Sequence, residues 1–130
     1  MFSAIVHMTT NFERIEKAAA RAAYWAWAKS AYRIMRDAQS TILINRRASP
    51  PGTPPHTGRR KQLRVAIQYS ASKDDAVVGP RGSWVDESMR VHEFGGFYKG
   101  HKYPARPYMG PALGRELDKF TGEFSGQIGQ

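Results

Sequence analysis

The chain has 130 residues, 41% hydrophobic and 24% charged, a globular composition large enough for one hydrophobic core and too small for two. It contains no cysteine, which excludes disulfides, thiol nucleophiles and thiolate metal sites and suits folding in a reducing cytoplasm. The net charge of +9 is unevenly placed: residues 1–65 hold 12 of the 20 basic and 3 of the 11 acidic side chains, and residues 66–130 are neutral.

Residues 10 to about 44 predict one long helix. Thr10-Asn11-Phe12-Glu13 has the form of a capping box, and the alanines at 18–20, 22, 23, 26 and 28 favour helix strongly. Tyr24, Trp27, Ala31, Ile34, Ala38 and Ile42 recur at steps of three and four and give one apolar stripe. Trp25 and Tyr32 lie off it, which leaves two readings open, a contact with another subunit or a broad core face.

Four prolines between Pro50 and Pro55 end the helix and start an exposed basic loop or arm over residues 46–60. Arg46, Arg47, Arg59, Arg60 and Lys61 flank it, and no acid occurs between Arg46 and Arg64. Alternation of Leu63, Val65, Ile67 and Tyr69 with polar or small residues predicts a strand. A turn at Ser72-Lys73-Asp74 and a returning strand at Ala76-Val77-Val78-Gly79 complete a hairpin.

Residues 84–94 suit a short helix ended by Gly95-Gly96, and Trp84 stands at its start as a further surplus aromatic. Phe97-Tyr98 and Lys102-Tyr103 suggest another strand or hairpin with Lys99-Gly100 at the tip. Ala112 or Leu113, Leu117, Phe120 and Phe124 mark a final helix over about 108–125, followed by a flexible tail at 125–130. The expected architecture is a single α+β domain: a long N-terminal helix, a small antiparallel sheet and a C-terminal helix.

No catalytic constellation emerges. His92-Glu93 lacks the second histidine of a zinc-protease motif, since position 96 is Gly96, and the other three histidines lie in separate segments. The glycines match neither a dinucleotide fingerprint nor a phosphate loop. Ser83 and Ser88 lack a nucleophile's context, and the acids at 74–75 and 86–87 are adjacent surface residues. The expectation is a non-enzyme with no cofactor and no metal. The N-terminus lacks the form of a signal peptide, and no apolar run approaches the roughly 20 residues of a membrane span, so a soluble chain with no membrane partner is expected.

Three pieces in order carry a resemblance. Thr57-Gly58 leads into Leu63-Arg64-Val65-Ala66-Ile67; Val78-Gly79-Pro80 precedes His92-Glu93-Phe94-Gly95-Gly96; and Tyr103-Pro104-Ala105-Arg106-Pro107-Tyr108-Met109-Gly110-Pro111-Ala112-Leu113 follows. Together they resemble the tailed-bacteriophage morphogenesis family of tail-completion, minor tail or head–tail joining proteins, over about residues 50–120. Two features depart from its pattern: Tyr108 as the aromatic after Arg-Pro, and the insertion Arg59-Arg60-Lys61.

The resemblance implies a structural virion protein, assembled in the host bacterial cytoplasm as a ring, often hexameric, at the neck or head-proximal tail. Its partners would be further copies of itself and phage connector, terminator or tail-tube proteins. Within that frame Trp25, Tyr32, Trp84 and the cations Arg46, Arg47, Arg59, Arg60 and Lys61 are candidate subunit or partner contacts. Glu93, Gly95, Gly96, Pro104, Arg106 and Pro107 form a structural corner, with Arg106 placed to bond Glu93. The alternative function is nonspecific nucleic-acid binding by the basic half, which includes transient contact with DNA.

Overall fold

No glycine or proline falls between Phe2 and Thr41, and in the computed structural model helix α1 runs unbroken over Phe2–Thr41. The structure describes residues 2–81 and 87–128, with side chains described at 12–81, 87–117, 119 and 121. Thr10 therefore lies inside the helix and not at its start. The capping-box reading is corrected: Thr-x-x-Glu marks a helix start where the preceding chain leaves helix, and here it does not.

The strand expected from residue 63 is half helix. Lys61, in the left-handed region (φ 56°), opens a short helix α2 at Gln62–Ala66, and strand β1 begins only at Ile67–Ala71. The inward positions explain the difference. Leu63 is half-buried and Ala66 and Ile67 are buried, a spacing of three and four, while Val65 is 44% exposed. Arg64 fixes this turn by donating from Nε and Nη2 to the Ile42 carbonyl, at 3.1 and 2.6 Å, just past the end of α1.

Strand β2 spans Ala76–Pro80 and pairs antiparallel with β1, from Ile67 opposite Pro80 to Ala71 opposite Ala76. Ser72 makes the turn as expected: its Oγ accepts the Asp74 and Asp75 amides at 3.1 Å each. Helix α3 at Ser88–Phe94 ends at Gly95. A second hairpin, β3 at Gly96–Tyr98 and β4 at His101–Tyr103, places Lys99-Gly100 at its tip.

Helix α4 spans Met109–Ile128 and packs along α1. Residues 125–128 lie within this helix. The architecture is α+β, two long helices with two small antiparallel hairpins. Its core joins Ala38 and Ile42 of α1, Ile67 of β1, Met89 of α3, and Tyr108 and Ala112 at the start of α4.

Candidate functional site

The corner between α3 and α4 is built around one carboxylate. Glu93 Oε2 accepts the Tyr108 and Met109 amides at 2.8 and 2.9 Å, and Oε1 accepts the Gly110 amide at 2.8 Å. These are free donors at the start of α4, where the helix dipole also favours negative charge. The expected Arg106–Glu93 bond is therefore corrected. Arg106 instead donates from Nε to the Ser49 carbonyl at 2.8 Å, and its backbone amide donates to the His92 carbonyl. A carboxylate that satisfies three amides has no need of a guanidinium.

The other corner residues set the path that makes this cap. Gly95 has φ 73°, and a Cβ there would stand 2.9 Å from the Ala105 amide nitrogen and 3.2 Å from the Tyr103 carbonyl. Gly96, also at positive φ, continues the turn into β3. Pro104 follows β4, and Pro107 stands immediately before the capped amides of residues 108–110. Tyr108 closes the corner from below by donating its hydroxyl to the Met89 carbonyl at 3.1 Å. Burial first, and the Glu93 carboxylate second, push its phenol well above the ordinary tyrosine value.

Beside this corner lies an open groove of about 840 Å³, walled by Trp27 and Ile34 of α1, Val77 of β2, Phe94 of α3, and Leu113 and Leu117 of α4. Phe94 is 76% exposed and Leu117 55%. Of the stripe expected in α4, Leu113 and Leu117 line the groove, while Ala112 and Glu116 are buried. Glu116 is tied by Arg33 at 3.3 Å and Lys119 at 3.4 Å, and the Ser30 hydroxyl in the same wall finds no partner among the described residues. Upstream, Phe12 and Ile15 are about two-thirds exposed, at 65% and 66%, on a stretch of α1 whose side chains from residue 12 to 19 are all exposed.

Of the surplus aromatics, Trp25 is exposed and stands edge-on to Tyr24 at 5.4 Å between centroids. Tyr32 packs edge-on to Tyr69 of β1 at 6.1 Å, with its outer half exposed. Trp84 lies outside the described residues. The five cations Arg46, Arg47, Arg59, Arg60 and Lys61 are all exposed.

Their loop, however, is held down and is not a free arm. Thr57 bonds both neighbours of Ile44 across a parallel bridge that pairs Ile44 with Thr57, with Asn45 N donating to Thr57 O at 3.1 Å and Thr57 N to Leu43 O at 2.9 Å. Gly52 donates to the Ala105 carbonyl at 2.9 Å, His56 Nδ1 meets the Arg47 carbonyl at 2.6 Å, and Ser49, Pro55 and Thr57 are buried. Backbone amides and carbonyls that find partners within the fold remove the need for an extended solvated path.

The sequence reading missed the groove. Its signal is the excess of large apolar residues at helical spacing in α1 and α4, more than one small core can take up. Among the described residues no three His, Asp or Glu gather where they could hold a metal, and no helix is long and apolar enough to cross a membrane. Compared with protein-family models, with curated proteins and with solved structures, the chain finds no match.

Proposed function

We propose that this chain is a structural subunit of a tailed-phage virion, without catalysis, that assembles as a ring at the head–tail junction or the head-proximal end of the tail. The observation that carries the reading is the unfilled apolar groove on so small a chain, together with the exposed Phe12 and Ile15 farther up helix α1. Contiguous exposed apolar surface of this kind marks interfaces. A ring joins two different patches on successive copies, and this chain offers two that differ in shape but match in chemistry: a projecting helix stripe and a groove.

The resemblance adds the assembly context. The residues that carry it, from Glu93 to Gly96 and from Pro104 to Ala112, coincide with the capped corner that fixes α4 against the groove. Glu93, Gly95 and the amides of residues 108–110 have folding roles there, so their spacing has a physical reason in this chain. Partners on this reading are further copies and the connector, terminator or tail-tube proteins on either side.

Light scattering across protein concentration tests the proposal. A closed oligomer of constant mass, near six copies, is the expected result. A persistent monomer that also stays free when mixed with phage connector and tail proteins overturns it.

A further inference from the structure

We infer that the loop joining α1 to α2 is a binding site for the phosphate backbone of nucleic acid, with Arg46, Arg47, Arg59, Arg60 and Lys61 as its contacts. The parallel bridge between Ile44 and Thr57 brings two basic runs, separated by eleven residues in sequence, to the same end of the loop. All five side chains are exposed, and none has an ion-pair or hydrogen-bond partner among the described residues. Four of the described carboxylates are engaged elsewhere: Asp37 by Arg115, Glu116 by Arg33 and Lys119, Glu87 by Arg90, and Glu93 by the α4 amides. A cluster of like charges without counter-charge repels itself and gains from a partner that supplies several anions in a row.

Nucleic acid is the class that fits best. Duplex DNA presents one phosphate charge about every 1.7 Å of axis, a density an acidic peptide seldom reaches. Four of the five cations are arginines, whose planar forks match phosphate oxygens. The loop is already tied down through Ser49, Gly52 and Thr57, so little of it remains to be ordered on binding. No Phe, Tyr or Trp lies between Arg46 and Lys61, so bases have no stacking platform there and binding is independent of sequence. This site goes beyond the assembly reading and does not depend on it.

Fluorescence anisotropy with a duplex of about 30 base pairs of arbitrary sequence, titrated from low to moderate salt, tests the inference. With about four or five phosphates engaged, log K should fall against log salt with a slope of roughly −4. The variant Arg46→Gln, Arg47→Gln, Arg59→Gln, Arg60→Gln, Lys61→Gln should lose most of that slope and at least about tenfold in affinity at low salt. A control with the same loss of charge elsewhere, Arg14→Gln, Lys17→Gln, Arg21→Gln, Lys73→Gln, Lys102→Gln, should keep the slope. An unchanged slope in the loop variant, no binding by the wild type, or tighter binding of polyglutamate than of DNA at equal charge each overturns the site. Light scattering on the same loop variant separates this result from assembly. Unchanged mass with unchanged DNA binding defeats this site alone, and a monomer that still binds DNA through the loop defeats the ring alone.

Discussion

Glu93 does at residue scale what a capping side chain usually does from within its own helix, but from another helix 15 to 17 residues upstream. Replacing it with alanine leaves three amides without a partner and costs about 2–3 kcal/mol, since bonds to a charged acceptor are among the stronger ones. We expect Glu93→Ala to lower Tm by roughly 5–10 °C and Glu93→Gln by about half as much, because the amide keeps one acceptor oxygen; a thermal melt followed by circular dichroism reads both. Tyr108 makes a pH prediction. Its phenol is held above the ordinary tyrosine value, so the folded state keeps a proton that the unfolded chain releases near pH 10. Stability from this group is complete below that pH and is lost as pH rises beyond it. Urea midpoints measured from pH 9 to 11.5 should fall more steeply for the wild type than for Tyr108→Phe, which cannot ionise.

Among the elements, the end of α1 shows how local pattern and tertiary contact compete. Alternation between Leu63 and Tyr69 suits a strand, yet the first half is a helical turn because Arg64 reaches the Ile42 carbonyl while Ala66 and Ile67 fill the core. Arg64→Met keeps the apolar stem and removes the bond to the helix end. It should cost about 1–2 kcal/mol, read as a lower urea midpoint with unchanged slope. The turn of the hairpin at Ser72, by contrast, was legible. Its turn bonds are made within four residues, so nothing distant decides them.

For the whole molecule, the groove and the exposed stretch of α1 are two apolar surfaces that the described fold leaves uncovered. If they meet between copies, Ile15→Asp on one surface and Leu117→Asp on the other should each break the oligomer, read as a fall in scattering mass. Both residues are more than half exposed, so the monomer's stability should change by no more than about 0.5 kcal/mol. An oligomer that survives both substitutions excludes this contact. Trp25→Ala, at an exposed aromatic away from the groove walls, tests the contact expected from sequence.

The sequence alone determined the order of element types after residue 66, the long first helix, and the special demands at Gly95, Pro104 and Pro107. Helix periodicity, glycine at positive φ and proline's fixed geometry are local physics, written within a few residues. It also marked Glu93 and Arg106 as members of one corner, but paired them with each other. Tertiary structure decided that Glu93 serves the amides of α4 and that Arg106 serves Ser49, 57 residues away. It likewise decided that the basic loop is tied to the body, and that Leu113 and Leu117 of α4 line an open groove. Those outcomes depend on which surfaces meet across long stretches of chain, and the spacing of residues along one element cannot specify its distant partner.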